Sequence, residues 1–282
     1  MKFFVTGGTG FIGSHFINQA HAAGHQIVAL RRTPESKPRV PLTHEPEWLD
    51  RTMENVEIDS LKGCECVVHL AAHSANFPYD TLENCVLHNV IYPLKLFRIA
   101  MAAGIKRFIV AGSCFEYGRS GDRYNFIPVD APLEPTATYP ASKAAASVAF
   151  HAFACENDLE LLMLRIFQVY GEGELETRFW PSLKKAALDG KDFPMTDGLQ
   201  IRDFINVVDT AAEIIRATSN IKIEPGNPLV MNIGSGRPQS LADFAKSQWK
   251  RYEAKGDLLI GAVENRHLEI NRLVPEIDIN PK

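Results

Sequence analysis

Tyr139 and Lys143 stand four residues apart in Tyr139-Pro140-Ala141-Ser142-Lys143. On a helix that spacing puts both side chains on one face, one turn apart. A phenol titrates near pH 10 and is a poor proton shuttle at neutrality, but a neighbouring ammonium favours its anion. Such a pair suits proton transfer to or from a carbonyl or alcohol oxygen. Ser113, in Ala111-Gly112-Ser113-Cys114-Phe115-Glu116-Tyr117-Gly118, could hydrogen-bond that same oxygen. Blander roles stay open: a half-buried core tyrosine and a turn-capping serine. Cys114 has no histidine assigned beside it and reads as packing.

A second motif supplies a partner for this chemistry. Gly7-Gly8-Thr9-Gly10-Phe11-Ile12-Gly13 directly follows an apolar strand and opens a helix. Glycines turn tightly and let backbone amides approach a ligand, and those amides with the helix N-terminus bind a pyrophosphate. A lone glycine triplet says little, but here strand, loop and helix are in register. Gly7, Gly10, Phe11, Ile12 and Gly13 therefore form a dinucleotide cradle. The second strand ends in Ala29-Leu30-Arg31-Arg32. An acid there would hold a ribose 2′-hydroxyl, whereas two guanidiniums attract a 2′-phosphate. NADP(H) is favoured over NAD(H), with solvated surface arginines as the alternative. Asp59 is placed to contact the adenine amino group, or is a plain surface aspartate. With a nicotinamide present, Lys143 can also hold its ribose while Tyr139 exchanges the proton.

The elements that position these groups alternate regularly. Strands are expected at Lys2 to Thr6, Ile27 to Leu30, Val56 to Ile58, Cys66 to Ala72, Arg107 to Ala111 and Leu161 to Ile166. Helices are expected from Phe11 to Gly24, Cys85 to Ala103 and Tyr139 to Asn157, and Thr33 to Glu47 reads as a loop. This is the pattern of an α/β doubly wound parallel sheet of the Rossmann type. After Tyr170-Gly171 the regularity weakens. We read 1–171 as the dinucleotide-binding domain, with 200–222 packing back on it. Segments 172–199 and 223–282 then form a smaller α/β lobe for a substrate.

The rest of the composition mainly excludes. In 282 residues, 45% hydrophobic and 23% charged, 30 basic and 34 acidic residues give a net charge of −4. That balance offers no electrostatic reason to expect nucleic acid or an anionic membrane. No apolar run reaches the length expected of a bilayer span, and the apolar N-terminus is too short for a signal peptide. The five cysteines, Cys64, Cys66, Cys85, Cys114 and Cys155, are odd in number and form no CxxC pair. We expect reduced thiols, no metal site and a cytoplasmic protein.

Taken together these residues resemble the extended short-chain dehydrogenase/reductase family, the NAD(P)-dependent nucleotide-sugar epimerases and dehydratases. The likeness runs through Gly7 to Gly13, His69-Leu70-Ala71-Ala72, Asn89, Ser113 to Gly118, Tyr139 with Lys143, Arg165 to Gly171, Arg202-Asp203-Phe204 through Asp209, and Asn232 to Gly236. It implies a catalytic set of Ser113, Tyr139 and Lys143, with Leu70, Ala71 and Ala72 along the cofactor. It implies a nucleoside-diphosphate sugar with Arg202 at the diphosphate, Arg266 and Glu269 at the nucleoside end, and Gln168 as an amide contact. The alternatives are a salt bridge of Arg202 with Asp203 or Asp209, and a solvated helix pair for Arg266 and Glu269.

Departures from the family pattern narrow the reaction. Its 4,6-dehydratases carry an Asp-Glu pair after the catalytic Ser or Thr, where this chain has Cys114 and Phe115. Its C4-epimerases use an acid where this chain has Arg31. The expected activity is NADPH-dependent reduction of a keto group on a nucleotide-linked, 4-keto-6-deoxy sugar, nearest the abequose/paratose-synthase group. An NAD(P)-dependent nucleotide-sugar epimerase is one alternative, and a non-catalytic dinucleotide-binding regulator another. The chain ends soon after Leu273-Val274-Pro275, which implies a reduced C-terminal cap. Family members pair through two helices, and Ala141, Ala144, Ala145, Ala149 and Ala152 would permit that approach, so a homodimer is expected.

Overall fold

The computed structural model describes residues 1–265 and 270–277. The first half lays down β1 (Lys2–Thr6), α1 (Phe11–Ala22), β2 (Gln26–Arg31), β3 (Glu47–Asp50) and β4 (Cys66–His69). A long helix follows as α2 (Leu82–Val86), a π turn at Leu87–Ile91 and α3 (Tyr92–Ala102). Next come β5 (Arg107–Ser113), α4 (Thr138–Glu156), β6 (Glu160–Ile166) and β7 (Gln168–Tyr170). The remainder holds α5 (Phe179–Leu188), β8 (Phe193–Met195), β9 (Ile201–Asn206), α6 (Val207–Ser219) and β10 (Leu229–Ile233). It ends with β11 (Pro238–Ser240), α7 (Leu241–Arg251), β12 (Leu258–Ile260) and β13 (Arg272–Leu273).

Seven parallel strands form the main sheet in the order β10-β6-β5-β4-β1-β2-β3. Alternation along each strand feeds two cores. On β1, Phe4 enters the layer with Leu96, Phe97, Phe150 and Phe153 of α3 and α4. Phe3 and Val5 enter the opposite layer, with Phe16 and Ile17 of α1 and Ala211 and Ile214 of α6. Helices on both faces make the fold doubly wound. The chain reverses its direction of travel across the sheet between β1 and β4, and that switch opens a crevice at the strands' carboxyl ends.

The third strand lies earlier than the residue pattern suggests. β3 is Glu47–Asp50, inside and just past the expected loop, because Trp48 and Leu49 pack into opposite cores. Val56 to Ile58 instead links two short 3-10 turns, with Val56 buried and Ile58 46% exposed. The Cys66 strand ends at His69, so Leu70 to Ala72 leave the sheet as a loop.

The second half is more interwoven than two separate segments. Helix α6 packs on α1, joining 200–222 to the dinucleotide side. Strand β10, in the stretch assigned to the lobe, instead extends the main sheet beside β6. A small separate core of Leu183, Met195, Ala242 and Ala245 sits between α5, β8 and α7.

The helix Leu82–Ala102 is also a correction. Its 21 residues and mean hydropathy of 1.2 reach the length and apolarity of a membrane span. The interrupting polar residues, Glu83, His88, Asn89 and Lys95, conceal that in the sequence. Cys85, Val90, Leu96, Phe97 and Ala100 on this helix are buried within the protein itself.

Candidate active site

A cleft of about 1210 Å³ runs along the carboxyl ends of β1, β2, β4, β5 and β6. Gly7, Gly10, Phe11, Ile12 and Gly13 line its floor. Gly7 has φ +75°, which only glycine adopts without strain. A Cβ on Gly13 would lie 2.0 Å from Gly7 O, so backbone meets backbone where α1 begins. This bare cradle at a helix N-terminus fits a dinucleotide pyrophosphate. Leu70, Ala71 and Ala72 form the next stretch of wall.

Ser113, Tyr139 and Lys143 meet at the middle of the cleft. Ser113 ends β5 and caps the short turn Cys114–Glu116: its Oγ accepts Phe115 N–H, while Glu116 Oε1 accepts Ser113 N–H at 2.7 Å. Its hydroxyl also lies on the Tyr139 side of the cleft, where it slightly favours the phenol's ionised form. One turn along α4, Lys143 Nζ donates to Ala111 O at 2.6 Å. Asn89, in the π turn, grips the loop from both sides. It takes His73 N–H with Oδ1 at 2.7 Å and donates to His73 O and Ser142 Oγ.

Burial tunes both titrating groups. It pushes the Tyr139 phenol well above its ordinary value, with the negative charge of Glu116 adding to it. It pulls the Lys143 ammonium below its ordinary value, against the opposing pull of Glu116. Tyr139 is thus held protonated until positive charge arrives beside it. Cys114 is buried and its thiol is pushed up to about 12, which removes it as a nucleophile.

At the β2 end, Arg31, Arg32, Lys37, Arg39 and Arg51 face the cleft, with Glu54 as the lining acid. Arg31 is engaged twice: it pairs with Asp50 at the end of β3 and lies over the Trp48 ring at 4.9 Å. The displaced third strand explains Asp50, which the sequence reading did not single out. Asp59, by contrast, is exposed on a 3-10 turn and does not line the cleft.

Gln168 opens β7 and lines the cleft. Arg202 does not. It is 9% exposed on β9, and its guanidinium donates to the carbonyls of Ile201, Ile270 and Asn271. Asp203 has its own task, taking the backbone N–H of Ser235 and Arg237. Arg266 and Glu269 lie outside the described residues. Several cleft groups had escaped the sequence reading, among them Lys37, Arg39 and Arg51, His73, whose Nε2 bonds Asp80 Oδ2 at 2.7 Å, and the pair Glu174 and Arg178 beyond β7. The i,i+4 spacing of the last two announces an ion pair but not its location. Among the described residues no group of three His, Cys, Asp or Glu side chains could hold a metal ion.

A glycine cradle at the switch point beside a Ser-Tyr-Lys set defines a dinucleotide-dependent enzyme of the extended short-chain dehydrogenase/reductase type. The profile of the NAD dependent epimerase/dehydratase family matches residues 3–234, and the chain belongs to that family. It is 29% identical over 257 residues to a UDP-glucose 4-epimerase of Corynebacterium glutamicum, covering 84% of this chain and 76% of that one. A dTDP-6-deoxy-L-talose 4-dehydrogenase (NAD(+)) of Aggregatibacter actinomycetemcomitans is 26% identical over 247 residues, covering 86% and 87%. Among solved structures, MoeE5 in complex with UDP-glucuronic acid and NAD matches with a TM-score of 0.85 and 26% identity over 98% of this chain and 90% of that one.

Proposed function

We propose that this protein reduces a keto group on a nucleoside-diphosphate sugar, a 4-keto-6-deoxy sugar, with NADPH as reductant. The observation that carries the reading is Ser113, Tyr139 and Lys143 meeting beside the glycine cradle. The dinucleotide, when bound, supplies the hydride. Ser113 and Tyr139 hold the carbonyl oxygen between two hydroxyls, and Tyr139 gives it the proton. Lys143, kept by Ala111 O on the Tyr139 side of α4, stabilises the resulting tyrosinate and orients the ribose. Gln168 contacts the sugar or its diphosphate, and 172–199 supplies much of the substrate lobe.

Two further features support the finer points. The cationic wall from Arg31 to Arg51 favours a 2′-phosphate and hence NADPH. Cys114 and Phe115, one a neutral buried thiol and the other apolar, cannot shuttle the protons of a 4,6-dehydration. A homodimer through α2–α3 and α4 is consistent with exposed Ala145, Val148 and Ala152, although Ala144 points inward. A cytoplasmic site of action suits five unpaired cysteines.

Net epimerisation at C4 is the second reading, favoured by the similarity to UDP-glucose 4-epimerases of Corynebacterium glutamicum and Rhizobium meliloti. The absorbance of NADPH at 340 nm, followed with a 4-keto nucleotide sugar, separates the two. Stoichiometric loss of absorbance supports the reductase. Sugar inversion without it, starting from a UDP-hexose, replaces that reading with the epimerase.

A further inference from the structure

Glu174 has no part in that mechanism, yet it is the most unusual acid in the cleft. Its side chain is only 6% exposed while the residue lines the cleft. Oε1 takes Arg178 Nε at a long 3.4 Å, and buried Oε2 has no hydrogen-bond partner among the described residues. Burial raises the carboxyl to about 7, and the Arg178 guanidinium and Gly171 N–H pull the other way. A buried acid this poorly partnered costs stability and needs a reason.

The backbone denies it an escape to water. Gly173 has φ +86°, and a Cβ there would lie 2.8 Å from Val40 Cγ1, so the turn is pressed onto the segment after β2. His15 Nε2 bonds Glu172 O at 2.8 Å, and Lys184 pairs with Glu172. Glu174 N–H is tied to Gly171 O and Arg178 N–H to Leu175 O. The loop is thereby braced against α1 just behind the glycine cradle, with Glu174 turned inward.

We propose that Glu174 is a ligand-binding residue whose Oε2 holds a hydroxyl of the bound nucleotide. This rests on the nucleotide reading above. A phosphate would be repelled by a carboxylate, whereas a hydroxyl donates to the ionised carboxyl and accepts from the neutral one. Two sources present hydroxyls here, the dinucleotide's riboses and the nucleotide sugar.

The test is calorimetric titration of wild type, Glu174→Leu and Glu174→Gln with NADP⁺ and, separately, with UDP-glucose. Melting of each ligand-free protein accompanies it. Glu174→Leu should weaken one of the two ligands about tenfold, and Glu174→Gln should recover most of that affinity. The ligand affected identifies the source of the hydroxyl. Ligand-free Glu174→Leu should melt a few degrees above wild type, because an ill-paired buried acid is gone. Unchanged affinity for both ligands overturns the proposal, as does lost affinity accompanied by a lower melting temperature, which marks a merely structural residue. Wild type binding neither ligand would instead remove the nucleotide reading beneath it.

Discussion

Glu116 accepts the backbone N–H of Ser113 at 2.7 Å through Oε1 and the Nε of Arg165 at 3.0 Å through Oε2. The same Oε2 takes the Ser147 hydroxyl at 2.6 Å, and Arg165 reaches on to Tyr117 Oη and Val129 O. Glu116 is fully buried and Arg165 5% exposed, so neither charge can be left alone. Glu116→Leu should cost about 3–5 kcal/mol, because it strands a buried guanidinium. Adding Arg165→Met should return much of it. Urea unfolding of the three proteins checks this, and an additive double mutant would show that the two do not act as a unit.

In the proposed mechanism Tyr139→Phe removes the proton donor while leaving a ring of the same shape. Turnover should fall by about three orders of magnitude. Dinucleotide affinity should stay within about threefold, because the cradle is untouched. Lys143→Met should lower both, since the same mechanism gives Lys143 the tyrosinate and the ribose. Steady-state kinetics with fluorescence titration of NADPH separate the two patterns, and full activity in Tyr139→Phe ends the mechanism.

The glycine cradle makes a graded prediction. Gly13→Ala drives a Cβ to 2.0 Å from Gly7 O, whereas on Gly10 the nearest atom is that same oxygen at 3.0 Å. Gly13→Ala should destabilise the protein by about 1–3 kcal/mol or more and abolish dinucleotide binding. Gly10→Ala should be the milder change in both. Melting curves with and without NADP⁺ rank them, and equal effects would show that the loop yields freely.

His69 sets part of the acid limit. It is 1% exposed, bonds Thr6 Oγ1 at 2.7 Å and is lowered to about 3 by burial. Unfolded, it titrates near 6.5, so between those values the unfolded chain holds the extra proton. Stability contributed by the neutral ring is complete above pH 6.5 and is lost as pH falls toward 3. The slope approaches about 1.4 kcal/mol per pH unit for this one group. His69→Asn should start less stable and lose stability less steeply over that window, read from urea midpoints at stepped pH.

The fold, and the meeting of Ser113, Tyr139 and Lys143 in one cleft, were largely legible because they rest on local rules. The glycine spacing, the buried strands and the Tyr139–Lys143 turn each state their geometry within a few residues. What failed depended on long-range packing. β3 is a four-residue strand whose Trp48 and Leu49 find their cores only once the sheet exists, so Val56 drew the assignment instead. Asp59 went with it. Arg202, which the resemblance puts at a diphosphate, donates to carbonyls some seventy residues downstream, contacts that no local spacing announces. The spacing of Glu174 and Arg178 announced an ion pair, but the unpartnered Oε2 left no trace in sequence.

That displaced strand bears on cofactor choice. Asp50 meets Arg31 because β3 pairs in register with β2, bringing Arg31 opposite Asp50. On the proposed NADPH reading, the carboxylate offsets part of the charge offered to a 2′-phosphate, leaving exposed Arg32 to supply more of it. Arg32→Ala should therefore reduce the preference for NADPH over NADH by about tenfold, the worth of one charge-assisted contact. Asp50→Asn should raise it by about threefold, by releasing Arg31, and both effects should shrink at high salt. Paired titrations of NADPH and NADH measure the ratio directly. A wild type that binds NADH more tightly, with neither substitution moving the ratio, would return these arginines to ordinary solvated surface.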